Sequence, residues 1–176
     1  LLKGKCSNCE KSISILYPLI ELFFGLIFIL NIFSNPSSFS LSNNPLIILL
    51  LGWLFISMLI TIGFLDSLYL WIPDLICKAG ILAGLIASFI VEATSNTIQV
   101  KYLFPNHLIA AILGYGLFEA VRKVGYIVFR KPAMGKGDVK LAALLGAWLG
   151  VSGLGISIWL AFNIAGIFVF IGWLLR

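Results

Sequence analysis

The sequence predicts an all-α protein, a polytopic bundle of about six transmembrane helices. Hydrophobic residues make up 61% of its 176 residues, and charged residues only 11%. Soluble domains carry about 25% charged residues, so this chain has too few to cover a water-facing surface. It also contains several apolar runs of about 20 residues, the length that a helix needs to cross the hydrocarbon core. An integral membrane protein is therefore predicted.

The predicted spans follow one another along the chain, separated by polar loops. The apolar runs cover residues 13–33, 46–65, 75–91, 102–121 and 141–175. The second of them is the clearest span, with 20 consecutive uncharged residues that end directly at Asp66. The polar return after it contains Ile72-Pro73-Asp74, where proline disfavours helix at the preceding residue and aspartate is suited to cap the next helix.

The last apolar run is too long for one crossing. Residues 141–175 would form a helix of about 52 Å, against a hydrocarbon core of about 30 Å. The run must therefore break, and the glycine-rich segment 150–155 is the predicted corner. Two spans result from this run, which gives six in all.

The basic residues predict the orientation of the chain. With residue 1 in the cytoplasm, eleven basic residues fall inside and only Lys101 falls outside, as the positive-inside rule requires. The net charge of +5 therefore fits topology and contact with membrane lipid, and no nucleic-acid partner is predicted. Residues 1–12 are predicted to be the cytoplasmic part of a loop, and residues 13–176 the transmembrane domain, in a multi-pass protein of the cytoplasmic membrane.

Two aspartates are the candidate catalytic residues. Asp66 ends the second span and Asp138 begins the fifth, so both lie at the cytoplasmic edge. Two carboxyls that share a site cannot both ionise easily, and one keeps a proton. The charged carboxyl could then activate a water molecule while the neutral one protonates a scissile carbonyl. The alternative is that each aspartate is a solvated helix cap.

The residues around Asp138 form a candidate active-site loop. Gly135 and Gly137 have no Cβ, so the backbone can turn tightly and come close to a ligand. Lys136 and Lys140 lie close enough in the sequence to modulate the charge of the site. The G-x-G-D pattern alone is also typical of an ordinary turn before a helix.

Four motifs occur in one order along nearly the whole chain. They are Leu16–Leu22 after a C-x-x-C pair, Asp66 eight residues before Asp74, Gly135–Leu141, and Leu145–Gly150. This order resembles the prepilin peptidases, membrane aspartic proteases of the G-x-G-D class. The resemblance implies cleavage of the leader peptides of type IV prepilins and pseudopilins at the cytoplasmic membrane face, with Asp66 and Asp138 as the catalytic pair. It implies no cofactor for the peptidase reaction.

The family resemblance also bears on the cysteines. Many members methylate the new amino terminus with S-adenosylmethionine, an activity associated with a loop that carries two C-x-x-C pairs resembling a zinc site. This chain has one pair, Cys6 and Cys9, which supplies two of the four ligands of a structural zinc. Zinc and S-adenosylmethionine are therefore expected only in an intact protein with an upstream pair. A further helix after residue 176 is expected on the same grounds.

Two other functions are consistent with parts of the pattern. A preflagellin-type peptidase would use the same two aspartates, but the C-x-x-C pair and the Leu16–Leu22 motif disfavour it. A non-catalytic membrane scaffold, or a transporter whose aspartates move ions, is the alternative from another class. A transporter predicts acidic residues near the middle of the membrane, whereas both aspartates here lie at an edge.

Overall fold

The computed structural model describes residues 15–34, 45–94, 101–131 and 134–175, which are almost wholly helical. No strand occurs within these ranges. The five helices are α1 (Leu16–Ser34), α2 (Pro45–Tyr69), α3 (Asp74–Thr94), α4 (Leu103–Phe129) and α5 (Lys136–Leu174). The predicted all-α fold is confirmed.

Fewer helices than predicted qualify as spans. Among the described residues, α2, α3 and α5 are long and apolar enough to cross a membrane, against the six spans predicted from sequence. The apolar part of α1 is short, Tyr17–Leu30. Helix α4 has Asn106 and His107 near its start and Glu119, Arg122 and Lys123 in its second half, so its average hydropathy is lower. The last apolar run forms one helix with a bend. The chain is nonetheless a multi-pass membrane protein.

The bend in α5 lies at Gly150, within the predicted corner. Gly150 has φ of 69° and ψ of −176°, a backbone conformation that only glycine adopts readily. Ala142 and Ala161 line one cavity, although a straight helix would hold them about 28 Å apart. Helix α5 therefore folds back on itself at Gly150. We call residues 136–149 its first half and residues 151–174 its second half.

A histidine from α4 satisfies the backbone at this bend. In an unbroken helix, the carbonyl of Ala147 would accept the N–H of Val151, and the conformation of Gly150 disrupts that bond. His107 Nδ1 lies 2.9 Å from the Ala147 oxygen and donates to it. Because unpaired backbone groups are costly in a membrane, this bond stabilises the corner.

Glycines bring α5 close to its neighbours and show the helix directions. Leu144 packs on Gly80 and Trp148 on Gly84, so α3 and the first half of α5 run parallel. Trp148 Nε1 also donates to the Gly80 oxygen at 2.8 Å. Small residues that let a neighbouring helix come close are typical of helix packing in membranes.

Helix α4 packs on the opposite side of α5 and runs antiparallel to it. Gly146 approaches the backbone of Ala110, while Gly114 approaches that of Ala142. Later residues of α5 therefore contact earlier residues of α4. The carboxyl end of α4 therefore lies beside the amino end of α5.

The buried core lies between α2, α3 and α5. Its fully or nearly fully buried members are Ile62, Ile72, Cys77 and Leu144. Cys77 packs there as an ordinary apolar side chain. Further along, Phe55 of α2 stacks on Trp148 at 5.1 Å between ring centroids. Helix α2 is thus antiparallel to α3. We call the end where α2 and α4 finish and α3 and α5 begin the site end of the bundle.

Candidate active site

The first aspartate lies where α2 finishes. Asp66 is in the last turn of the helix, and its side chain is exposed. Leu70 adopts a left-handed conformation with φ of 51°, and its N–H donates to the Asp66 carbonyl oxygen at 2.8 Å. This residue ends the helix one turn after Asp66, so the carboxyl lies at the site end rather than inside the span.

The turn between α2 and α3 packs against Gly137 in the candidate active-site loop. Ile72 is only 8% exposed. A Cβ added to Gly137 would lie 2.9 Å from the Ile72 Cβ, which is closer than real Cβ atoms approach. The second glycine of G-x-G-D is therefore needed for contact with the Ile72-Pro73-Asp74 turn. This contact joins the segment after Asp66 to the segment before Asp138.

The second aspartate lies in the first turn of α5. Gly135 is the N-cap of the helix, and Asp138 is its third residue. The Gly135 N–H donates to Asp138 Oδ2 at 3.1 Å. Asp138 was expected to be the N-cap if it had only a structural role, and the structure corrects that expectation. Its carboxylate instead reaches back to the N-cap, as the acidic residue of a capping box does.

One cavity at the site end contains the predicted site residues. Its volume is about 350 Å³, and we call it the polar cavity. It is lined by Asp66, Leu70, Trp71, Ile72, Asp74, Gly135, Lys136, Gly137, Asp138 and Lys140. Three carboxyls and two ammonium groups therefore face one space. That the cavity is an active site remains a prediction.

An ion pair crosses the polar cavity. Lys140 Nζ donates to Asp74 Oδ1, which links α5 to the first turn of α3. Asp74 does begin α3, close to its predicted place as a cap, but this partner was not predicted. The sequence feature that could have indicated this pair is that Asp74 and Lys140 both lie in the first turns of helices that begin at the site end. Within the described ranges, neither Asp66 nor Asp138 takes part in an ion pair.

A second cavity adjoins Asp138. Its volume is about 320 Å³, and its lining is almost wholly apolar, so we call it the apolar cavity. Phe118 of α4 lines it together with both halves of α5, and Asp138 is the only charged residue among the described residues that line it. Asp138 thus borders both cavities. Sequence reasoning missed this arrangement, because it depends on how sharply α5 folds back.

The predicted zinc half site, Cys6 and Cys9, lies outside the described residues. In the part of the chain that the structure describes, no group of three or more histidine, cysteine, aspartate or glutamate side chains could hold a metal ion. Zinc at the cysteine pair therefore remains a prediction, and so does S-adenosylmethionine.

The chain matches two protein-family models. Residues 53–171 match the type IV leader peptidase family, and residues 1–34 match the bacterial peptidase A24 N-terminal domain. The first match includes both Asp66 and Asp138. No solved structure matches the chain.

Several curated proteins are similar over most of the chain. A type 4 prepilin-like proteins leader peptide-processing enzyme of Escherichia coli O78:H11 is 33% identical over 85% of this chain and 50% of that protein. A prepilin leader peptidase/N-methyltransferase of Neisseria gonorrhoeae is 34% identical over 92% of this chain and 51% of its own length. One from Aeromonas hydrophila is 29% identical over 99% and 54%, respectively. The chain thus spans about half the length of these relatives.

Proposed function

Because the chain belongs to the type IV leader peptidase family, we propose that it is the peptidase part of a membrane aspartyl endopeptidase. Its substrates in this proposal are the leader peptides of type IV prepilins and prepilin-like proteins, the class named for its relatives. The observation that carries the proposal is the polar cavity, which both Asp66 and Asp138 line. Residues 72 apart in the sequence thereby face one space large enough for a peptide bond and a water molecule.

The two aspartates stand in different electrostatic surroundings, which favours different roles. Asp138 lies at the amino end of α5, where the helix dipole stabilises negative charge, and it accepts a hydrogen bond from Gly135. Asp66 lies at the carboxyl end of α2, where the dipole disfavours negative charge. We therefore assign Asp138 as the general base and Asp66 as the general acid.

The proposed reaction is hydrolysis by this pair. Asp138 accepts a proton from water, whose oxygen bonds to the carbonyl carbon of the scissile peptide, while Asp66 gives its proton to the carbonyl oxygen. The C–N bond then breaks as Asp138 protonates the leaving nitrogen. Asp66 recovers its proton from the tetrahedral intermediate. The products are a carboxylic acid and an amine, and both aspartates return to their starting states.

The distribution of charge supports a cytoplasmic location for the site. Seven basic residues lie near the site end: Lys78, Arg122, Lys123, Arg130, Lys131, Lys136 and Lys140. Lys101 lies at the opposite end, just before α4. Basic residues are in excess on the cytoplasmic side of membrane proteins. We therefore propose that the polar cavity opens at the cytoplasmic face of the inner membrane.

The placement of the acidic residues favours a peptidase over a transporter. Asp66, Asp74 and Asp138 all lie at helix ends, not midway along a span. Transporter sites typically lie near the bilayer midplane, at interrupted helices. The names of several relatives also include N-methyltransferase. For this chain that second activity remains a prediction, because Cys6 and Cys9 lie outside the described residues.

Asparagine substitutions at the two aspartates test the proposal. We expect Asp66→Asn or Asp138→Asn to slow cleavage of a prepilin in membranes by about 10²–10⁴-fold, the usual contribution of a general acid or base. Asparagine at 138 retains an oxygen that can accept the Gly135 N–H, so the start of α5 should persist. Processing is followed by the mobility of the prepilin on a gel, with the level of each variant measured in parallel.

Glu119→Gln is the matched control for the loss of one carboxylate. Glu119 pairs with Arg122 and Lys123 on α4 and lines neither cavity. We expect this variant to process the prepilin at nearly the wild-type rate. Normal processing by either aspartate variant would overturn the proposal and leave the aspartates with a structural role only.

A further inference from the structure

We propose that Asp74 is a positioning residue that holds the Lys140 ammonium away from the Asp66–Asp138 pair, so that this pair keeps one proton. The inference rests on the proposed function and assigns a role to an aspartate that is not in the catalytic pair. It starts from the Lys140–Asp74 ion pair, which crosses the polar cavity from α5 to α3.

Helix geometry separates Lys140 from Asp138. Residues two apart on a helix point in different directions. Lys140 lies in one row with Leu144 and Trp148, which pack on α3. Asp138 instead borders the apolar cavity beside α4. The backbone therefore directs the Lys140 side chain toward α3, where Asp74 binds its end.

Without Asp74, that ammonium would remain in the same cavity as the proposed catalytic pair. The charged side chains lining the cavity are Asp66 from α2, Asp74 from α3, and Lys136, Asp138 and Lys140 from α5. Lys78 of α3 does not line the cavity, but its positive charge favours the ionised form of Asp74. Among the described residues, no charged side chain of α4 lines it.

A cation without a partner would impair an aspartate pair. The mechanism needs one protonated and one ionised carboxyl, and a nearby positive charge stabilises the state in which both are ionised. Asp74 offsets the charge of Lys140 and also holds it in place. The Lys140 side chain is 23% exposed and that of Asp74 is 59% exposed, so the ion pair in the cavity lining is not buried.

Single substitutions at the two residues should move the pH dependence of cleavage in opposite directions. Asp74→Asn leaves Lys140 unpaired, so the pair loses its last proton more easily and the alkaline limb of the pH–rate profile moves to lower pH. Lys140→Met leaves Asp74 unpaired, and its negative charge moves the limb to higher pH. We expect each displacement to be roughly 0.5–1 in pH, less than for charges in direct contact.

The double variant supplies the decisive measurement. Asp74→Asn with Lys140→Met removes both charges, and we expect its alkaline limb to return to the wild-type position with at least partial recovery of the rate. Lys101→Met is the control, because it removes an exposed cation at the opposite end of the bundle, far from the cavity. We expect the limb to stay in place for that variant.

A purely structural ion pair gives a different result. Both single variants would then lose activity with no displacement of the limb, and the double variant would be no better than either. Displacement of both single variants in the same direction would overturn the proposal as well. The profiles are measured on the full-length protein with one prepilin substrate. They are interpreted only if Asp66→Asn and Asp138→Asn slow cleavage as expected above, so failure of the proposed function is detected separately.

Discussion

The two halves of α5 share one long apolar run, residues 141–175, but differ in environment. In the first half, a cluster of small and aliphatic residues is buried: Val139, Ala142, Ala143, Leu144, Gly146 and Ala147. In the second half, Leu154 is the only buried residue among those that the structure describes. Large side chains there point outward, and Phe162 is 72% exposed. Hydropathy therefore identifies both halves as membrane segments but does not show which one forms the core.

Small residues occur in both halves, but those of the first half pack closely against a neighbouring helix. Apolar side chains gain little by leaving lipid, so helices in a membrane associate through close packing, which small residues permit. Gly146 lies against the backbone of α4. Gly155, Gly166 and Gly172 in the second half have open space where a Cβ would be. The half that packs closely is also the half that begins at the candidate site, so the tightest contacts hold Asp138 in position.

A matched pair of glycine substitutions should give the largest contrast between the halves. Gly146→Ala places a Cβ against the Ala110 backbone, which cannot move without shifting α4. We expect it to lower the free energy of unfolding by about 3 kcal/mol, the upper range for overpacking. Gly166→Ala meets no atom, and we expect a gain of up to about 1 kcal/mol from helix propensity. The free energy of unfolding of both variants is measured in mixed detergent micelles. Equal effects of the two substitutions would contradict the proposed difference in packing between the halves.

Substitution at the bend should have a somewhat smaller effect. Gly150→Ala forces a side chain into a conformation that costs about 1–3 kcal/mol for any residue but glycine. Its Cβ would also lie 2.7 Å from Asn106 Nδ2, although that side chain can move. We expect the return of the second half to be disturbed, and with it the apolar cavity. The distance between spin labels placed at Leu113 and Trp159, which are both exposed, would measure this displacement.

Two tryptophans allow the mildest comparison. Trp148→Phe removes the hydrogen bond to the Gly80 oxygen but leaves a ring to stack on Phe55. We expect a loss of about 1 kcal/mol, the typical net value of one hydrogen bond. Trp159→Phe changes a ring that is 64% exposed, and we expect no measurable loss. The same unfolding assay tests both, and a larger effect at Trp159 would mean that the second half has a partner.

Much of the fold and part of the site could be predicted from the sequence. The length of the last apolar run required a break, and the glycine-rich segment located it at Gly150. The edge positions of Asp66 and Asp138 placed them at one end of a bundle. These features depend on hydropathy, chain length and charge, which the sequence states directly.

The remaining features depend on contacts between helices. Whether Lys140 pairs with Asp74 or with an aspartate of the candidate pair follows from the relative rotation of α3 and α5. The apolar cavity follows from the angle at Gly150. Three helices of the described residues qualify as spans, against six predicted, because the apolar part of α1 is short, α4 carries polar side chains, and α5 is counted once although it folds back at Gly150.

The bond that stabilises the corner of α5 also fixes the tautomer of His107. A carbonyl oxygen can only accept, so the hydrogen lies on Nδ1, and Nε2 faces Gly150. The imidazole is thus held in one orientation, with one nitrogen on the Ala147 oxygen and the other beside Gly150. A single side chain of α4 therefore couples that helix to the return of the second half of α5.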